Sequence, residues 1–586
     1  MACIATSSSV VASPATWHAD SAAGVEMARI EAGWHSRIFP YAGDRAANLC
    51  NNSPLQNSAA SDQPMLLRLI LLLLVPASVF AQGTNLRIGI AADITSLDPH
   101  HINIGSNNNA LWHIYDALTH VNADARLIPG LAESWKAVDK TTWEFRLRHG
   151  VKFHDGSEFG AADVIASIER ARAAEKSGGQ YGSFTKAIVE MKALKPDVVM
   201  FKTATPYAML PYDLNSIFII SARAKAATTE DFNATRSSAD GKPLGAGTGP
   251  YKLAEYKRGE RVDLARNDAY WGPKPAFANA SLRILPTDGP RLAALLAGDI
   301  DMIENIPTGD AVRLKRDARL VLAQKVSWRT LFFHMDQWRP NPPGVTAKDG
   351  KPLARNPFTD IRVRQAISKA INRGAIVERV MDGLALPASN LVAPPVFGHV
   401  AALKPDAVDV EGAKKLLAEA GFPDGFAMTL AAPNNRYVND DQIAQAVAQM
   451  LTRIGLAVKV ETHPAATYFT KARNGEFSFA MLGWGSFSGD LALRALLATP
   501  NPDKGFGTWN WGRFSLPRVD ELLEAGFQNT DDKQREIGAQ EAATLALKTY
   551  GAIPLHHQIA TWAMKKHLSY AGRTDEYTFA HQVKAQ

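Results

Sequence analysis

The sequence predicts an α/β fold, and three observations carry that expectation. Strand-like alternation and helix-like spacing take turns along much of the chain, with one complete strand, helix, strand unit between Phe426 and Glu461. Over 586 residues, 46% are hydrophobic and 21% charged, which is ordinary globular composition and length enough for several domains. No repeat array, coiled coil or long linker breaks the pattern.

The first element is "MLLRLILLLLVPASVFAQG", beginning at Met65. Arg68 supplies a basic start, Leu69 to Val75 an apolar core, and "VFA" ending at Ala81 a small-residue cleavage site, so 65-81 reads as a secretory signal peptide. Its apolar run is too short to cross a bilayer, which needs roughly 20 apolar residues. Residues 1-64, rich in Ala, Ser and Asn and without helical or alternating period, read as a disordered upstream extension, with translation starting at Met65. Both cysteines, Cys3 and Cys50, fall in that extension, so the mature chain is expected to use no disulfide or cysteine ligand. Gln82 follows the cleavage site, and no lipid-anchoring cysteine stands there. A soluble periplasmic protein is expected.

"LRIGIAAD" from Leu86 predicts a strand that ends in the loop "DITSLDPHH". "TTWEFRLRHGVKFHDGSEF" predicts a strand pair with Trp143, Phe145 and Leu147 on one face. A helix follows from Asp163, with Val164, Ile165 and Ile168 inward. "GTGPYKLAEYKRGERVDLARNDAYWG" reads as strands, and "DGPRLAALLAGDIDMI" as a helix with Pro290 in its first turn, Gly298 just past its end and a strand after it. In the second half, Val363, Ile367, Ala370 and Ile371 form one helical stripe, with Thr359 or Asp360 as cap. "EGAKKLLAEAGFPDG" predicts a helix stopped by Gly421 and Pro423. "FAMTLAAP" is a strand, Asp440 to Ile454 a helix burying Ile443, Val447, Met450 and Leu451, and "LAVKVE" the strand that completes the unit.

Candidate chemistry is sparse. The net charge of +6 is spread along the chain without a Lys/Arg run, which gives no footprint for nucleic acid. Ser183 and Lys186 in "SFTK" have the spacing of an acylating Ser-Lys pair, but the companion Lys-Thr-Gly signal is missing. "GAGTGP" lacks a following helix to complete a phosphate cradle, and turn geometry accounts for its glycines. His100, His101, His113, His120, His556 and His557 show no metal-ligand spacing and read as solvated or helix-surface residues. No catalytic residue, metal or cofactor is expected.

Several stretches taken together carry a resemblance. "LIPGLAESWKAVDKTTWEFRLRHGVKFHDGSEFGAADVIASIER", "GTGPYKL", "RNDAYWGPKP", "LLAGDIDMI", "DIRVRQAISKAINR", "KKLLAEAGFPDGF", "MLTRIGLAVKV" and "PRVDELLEAGFQNTDDKQRE" resemble, in order, the dipeptide- and oligopeptide-binding proteins of ABC importers, solute-binding family 5. The resemblance covers essentially all of 85-575 and implies a two-lobed periplasmic-binding-protein fold with a hinge and an extra inserted domain. It places lobe I in 85-112, 246-330 and 561-586, the inserted accessory domain in 113-245 and lobe II in 331-560. It also implies capture of peptides or peptide-like solutes by cleft closure and delivery to a membrane permease and its ATPase. A monomer fits a protein that presents one closed cleft.

Within this resemblance Arg436 matches an arginine that grips a ligand carboxylate; the alternative is a surface arginine beside Asp440 and Asp441. Relatives hold the peptide ammonium with an Asp shortly after a Gly-Trp pair. In "LGWGSFSGDLALRALL" Phe487 takes that place and Asp490 comes three residues later. Either Asp490 reaches the cleft, or the ligand lacks a free amine there. The stretch is more similar to the branch that includes glutathione binders, which favours a short or modified peptide. Tyr437, Trp484, Phe487 and Trp509 complete the expected ligand-binding set, each with core packing as its alternative role. Two other functions remain open at this stage: the same fold binding a nickel chelate, haem, sugar or opine, and a secreted Ser-Lys acyl hydrolase.

Overall fold

A computed structural model of the chain describes residues 85-174, 181-234, 241, 243 and 245-586. The upstream extension, the signal-peptide segment, both cysteines and Gln82 lie outside the described residues.

Among the described residues the largest sheet has 12 strands, and its backbone is two long antiparallel strands, Leu320–Met335 and Ile553–Lys565. At one end Leu320 to Val326 pair with Ile559 to Lys565; at the other, Thr330 to Phe333 pair with Ile553 to His557. The register shifts between Val326 and Thr330, so Ser327, Trp328 and Arg329 bulge out of the ladder. Beyond the first end, Met302–Glu304, Asn85–Ile90, Asn279–Ile284, Arg261–Arg266 and Tyr251–Lys257 extend the sheet in that order. Beyond the second end come Phe479–Trp484 and Ala427–Pro433, flanked by Val345–Thr346 and Ala457–His463.

Each half packs its own core. Leu86, Ile88 and Ile90 alternate inward from the strand Asn85–Ile90 and meet Val262, Leu264, Leu282 and Trp562. In the other half Leu331, Phe333, Leu430, Phe479 and Met481 meet the apolar stripes of two helices. The helix Ile361–Ala370 starts where Asp360 accepts from the Arg362 N–H at 3.0 Å, and it buries Val363, Ile367 and Ala370. The helix Asp440–Thr452 buries Ile443, Val447 and Leu451 and leaves Met450 half-buried. Full burial of such side chains stabilises the fold by about 1.5–3 kcal/mol each, so these stripes, and not intrinsic propensity, hold the helices in place. The unit expected in the second half forms as written: Ala427–Pro433 runs parallel to Ala457–His463, with the helix between them in sequence. The helix Asp288–Ala297 likewise ends at Gly298, whose φ of 88° suits glycine.

A separate four-stranded sheet, Ala132–Ala137, Thr142–Leu147, Val198–Thr203 and Ile188–Lys195, covers a third core containing Phe145, Ile168, Phe201 and Ile219. Trp143, Phe145 and Leu147 face that core, as their alternation predicts. The expected strand pair differs, however. The partners of Thr142–Leu147 are Ala132–Ala137 and Val198–Thr203, while "VKFHDGSEF" folds back on itself through a single bridge between Lys152 and Glu158. The glycines of "GAGTGP" also have a different reason from turn geometry. A Cβ on Gly247 would lie 1.9 Å from the Ile114 carbonyl oxygen, and one on Gly249 2.8 Å from that of His113, so both permit backbone to pass against backbone.

The histidines correct the sequence reading as well: His100, His113, His556 and His557 are buried, not solvated. Backbone and hydroxyl groups make this tolerable for some of them. His100 meets the Phe218 carbonyl at 2.8 Å, His113 accepts from the Ala580 N–H at 2.9 Å, and His557 sits 2.8 Å from the Thr330 hydroxyl. Among the described residues no group of three His, Cys, Asp or Glu side chains is arranged to hold a metal ion. Gly182–Thr185 forms one helical turn, and Lys186 at its end is exposed.

Candidate ligand-binding cleft

Ala427–Pro433 and Phe479–Trp484 are parallel neighbours, so the loops leaving their carboxyl ends emerge side by side. In α/β sheets this is where ligands settle. The first loop carries Arg436 and Tyr437 into the helix Asp440–Thr452. Asp440 fixes that loop by accepting from the N–H groups of Arg436 and Tyr437 at 2.9 and 3.0 Å. Tyr437, almost buried, donates its hydroxyl to the Gly483 carbonyl at 3.1 Å. Its ring passes so close that a Cβ on Gly483 would sit 2.6 Å from it. The Arg436 guanidinium lies 5.2 Å from the same ring centroid. Its side chain is open to solvent on one side yet walled by protein. That partial desolvation, together with the like charge of Arg329, lowers its pKa from the ordinary arginine value.

The second loop begins at Trp484, which pairs with Thr330 on the long strand. Trp484 is half-buried, 5.3 Å from the ring of Trp509, which is itself 5.3 Å from Trp511. Gly485 follows and lets the Trp328 indole approach, since a Cβ there would meet its nitrogen at 2.6 Å. Arg436, Tyr437 and Trp484 are thereby gathered around one stretch of backbone, with Trp509 behind Trp484.

Phe487 and Asp490 have partners of their own within the protein. Phe487 stacks on Tyr212 of the segment below the four-stranded sheet, with centroids 5.7 Å apart and planes 8° from parallel. Asp490 is buried, accepts from the Ser488 hydroxyl and the Leu491 N–H, and stands 3.4 Å from Nε of Arg535, an ion-pair separation without hydrogen-bond alignment. Arg535 has no exposed surface; it is sandwiched 4.6 Å from the rings of both Tyr212 and Phe397 and donates to the Tyr212 hydroxyl at 2.7 Å. Asp490 therefore already has a cation.

Sequence reasoning missed the floor of the cleft. From the bulge, Ser327 donates to Glu576 at 2.7 Å, and Arg329 donates to it twice, through Nε at 3.1 Å and Nη2 at 2.6 Å. Burial alone would push the Glu576 carboxyl up; Arg329 outweighs it and holds the pKa below the usual value. Glu576 adopts a φ of 68°, a strained backbone for a non-glycine residue. Tyr577 beside it meets Trp328 edge-on at 6.4 Å. The interrupted alternation at "VSWRT" was the available signal for the bulge. A further contact joins the two halves of the sheet: Asn439 donates to the Thr308 hydroxyl at 3.1 Å.

Comparison with known proteins agrees with this architecture. The family described as bacterial extracellular solute-binding proteins, family 5 Middle, matches residues 126–497. The chain is 28% identical over 445 residues to the dipeptide-binding protein of Escherichia coli (strain K12), covering 72% of this chain and 79% of that one. It is 26% identical over 495 residues to the glutathione-binding protein of Shigella boydii, covering 82% and 90%. In fold it is similar to HbpA2 from Haemophilus parasuis, with TM-score 0.72 and 24% identity over 86% of this chain and 100% of that one. The periplasmic binding protein DppA from Helicobacter pylori, solved in complex with peptide STSA, gives TM-score 0.68 and 24% identity over 86% and 98%. The expected α/β, two-lobed periplasmic-binding-protein fold is thus the observed one. With more than half of its length matched, the chain belongs to family 5 of the bacterial extracellular solute-binding proteins, the binding components of ABC importers.

Proposed function

We propose that this chain is a periplasmic subunit that captures peptides or peptide-like solutes in the cleft between its lobes and hands them to a membrane permease driven by an ATPase. The observation that carries the reading is Arg436, an exposed cation held over the Tyr437 ring on the loop that leaves one strand beside the strand ending at Trp484. A guanidinium pairs with a carboxylate through two parallel hydrogen bonds, which selects a planar anion. The proposed contact set is Arg436, Tyr437, Trp484 and Trp509, with Phe487 shaping the wall between the lobes. Asp490 enters only through Arg535. No catalytic step belongs to this reading: closure binds, and the permease transports.

The lobe partition belongs to the same proposal. Lobe I is 85-112, 246-330 and 561-586, the inserted domain 113-245, and lobe II 331-560; the core around Phe145 and Phe201 supports the inserted unit, although Tyr115, Phe218, Ile220 and Phe232 of the same range pack with lobe I, and Met209 and Tyr212 with lobe II. Export through the 65-81 signal and action as a monomer complete it. A ligand that touches both lobes shifts the population toward the closed form by its differential affinity. Micromolar binding corresponds to about 8 kcal/mol, within reach of one charge-assisted pair plus aromatic burial. A thermal-shift screen against di- and tripeptides, glutathione, sugars, opines, haem and nickel chelates tests the reading. A ligand at a hundred times its Kd stabilises the fold by about 2.7 kcal/mol. Arg436→Gln is expected to weaken carboxylate ligands by about ten-fold or more, roughly 1.4 kcal/mol; unchanged binding removes Arg436 from the site. One observation favours a second reading, a non-peptide solute: Asp490, the acid that follows the Gly-Trp pair, is engaged by Arg535.

A further inference from the structure

The strands Thr119–Val121 and Leu127–Pro129 pair as a hairpin whose tip runs from Asn122 to Arg126. The tip is held from within. The Asn122 N–H donates to the Arg126 carbonyl at 2.9 Å, and the Asn122 side-chain oxygen accepts from the N–H groups of Asp124 and Arg126, each at 2.9 Å. Ala125 is thereby kept at a φ of 60°, a left-handed backbone that favours glycine. A glycine would make this turn with less strain. Alanine adds a methyl group, and the residue is only 2% exposed.

The tip reaches both lobes of the proposed partition. On the side of lobe I, the Ala123 carbonyl accepts from the Thr574 N–H at 2.9 Å, the Val121 carbonyl accepts from Arg573 at 2.9 Å, and Asp124 pairs with Lys325 at 2.6 Å. On the side of lobe II, Ala125 joins an apolar cluster with Val392, Ala393, Val396 and Ala492. Arg126 stands 3.6 Å from Glu536, which also accepts from the Gly398 N–H at 2.9 Å. Trp328, Trp484 and Phe487 pack against the same cluster, so the tip sits where the aromatic side of the cleft ends. The cluster's own members are alanines and valines, all buried, and they offer no polar side chain. A peptide unit pushed into it would give up its hydrogen bonds to water without replacement.

We propose that this hairpin tip is the end wall of the cleft: anchored on lobe I and seated on lobe II, it stops the ligand beside Trp484 and restricts the protein to solutes about the size of a di- or tripeptide. This rests on the reading of the Arg436 cleft as the ligand site. The strand order supplies the size. The strand that leads to Arg436 lies two ladder spacings from the long strand that carries Trp328. That is roughly 10 Å, a span an extended peptide covers in about three residues.

The test uses random-sequence peptide mixtures of fixed length, from two to six residues, incubated with the full chain; the peptides retained by the protein are measured by mass spectrometry. Two- and three-residue peptides are expected to be retained at least about ten-fold better than five- and six-residue ones. Ala125→Asp puts a carboxylate into the apolar cluster, and Arg126→Glu sets like charge against Glu536. Each is expected to raise the share of five- and six-residue peptides by about ten-fold, a change of selectivity that lost stability alone does not produce. Two variants guard against one that folds poorly, and a cooperative melting curve identifies the one to read; the length profile of the unmutated protein is decisive in either case. Retention of six-residue peptides as strong as that of tripeptides overturns the proposal and leaves the peptide reading standing. So does a length profile that neither folded variant alters. No retention at any length overturns both.

Discussion

Replacing Arg535 by methionine probes the contact between the helix Asp532–Lys548 and the segment that carries Met209 and Tyr212. Methionine keeps an apolar stem between the Tyr212 and Phe397 rings and removes only the guanidinium. Asp490, with 3% of its side chain exposed, then retains the Ser488 hydroxyl and the Leu491 N–H but loses its cation. Breaking one side of a buried ion pair costs about 3–5 kcal/mol, whereas replacing both partners by apolar groups is close to neutral. Arg535→Met is expected to lose about 4 kcal/mol, Asp490→Leu less because Arg535 keeps Asp532 at 3.0 Å, and the double variant to recover most of the larger loss. In urea unfolding followed by tryptophan fluorescence, with a slope of about 3 kcal/mol per molar, the Arg535→Met variant should melt about 1.3 M earlier. Circular dichroism must give the same transition for the cycle to be read as two-state. A single-variant shift under about 0.3 M, roughly 1 kcal/mol, would refute the reasoning. So would a double variant that loses the sum of the two.

Acid should destabilise the fold through its buried histidines. Burial holds His334 and His556 down to about 4, and neither has a hydrogen-bond partner on either ring nitrogen. The unfolded chain takes up these protons near pH 6.5, so their contribution is complete above that value and is lost as pH falls toward 4, about 3 kcal/mol for each. Asp213, pushed up to about 7 by burial, works in the opposite direction, its cost growing as pH rises from about 4 to 7. His556→Leu should flatten the acid limb of stability by up to about 1.4 kcal/mol per pH unit between 6.5 and 4, and an unchanged slope removes His556 from the account. Gly483→Ala should cost about 1–3 kcal/mol by driving a Cβ into the Tyr437 ring, and should weaken ligand binding as Arg436 shifts with its neighbour. Gly247→Ala meets unyielding backbone at 1.9 Å and should cost about 3 kcal/mol, seen as a lowered urea midpoint with binding unchanged in the folded fraction.

The parts of the fold legible in the sequence are those with one wet face. The helix Asp440–Thr452 shows its stripe because the opposite side carries polar residues, and Thr142–Leu147 shows its alternation because one face meets solvent. The two long strands are different. Ile553–Lys565 is buried over almost its whole length although it includes His556, His557, Gln558 and Thr561, so neither alternation nor a continuous apolar run marks it. The site divides in the same way. Arg436 lies on a loop whose flanking strand and helix are both readable, and the resemblance supplied its role. Arg329 and Glu576 stand 247 residues apart and meet only because a bulge and a positive φ turn them toward one another. No local pattern encodes that meeting.

The proposed reading also gives the bulge a part in closure. The long strands are the ladder shared by both lobes, and a regular ladder resists bending because each residue is tied to its partner. At Ser327, Trp328 and Arg329 the pairing lapses, and the Glu576 carboxylate and the Thr574 carbonyl, which accepts from the Trp328 N–H at 2.8 Å, take over as partners. In the proposed reading the break in the ladder lies beside the ligand site, since Thr330 next to it pairs with Trp484 and Gly485 stands against the Trp328 indole. A ligand that touches both lobes would then act where the ladder's own pairing is interrupted, and would favour the closed form by its differential affinity without a relay through the lobe cores.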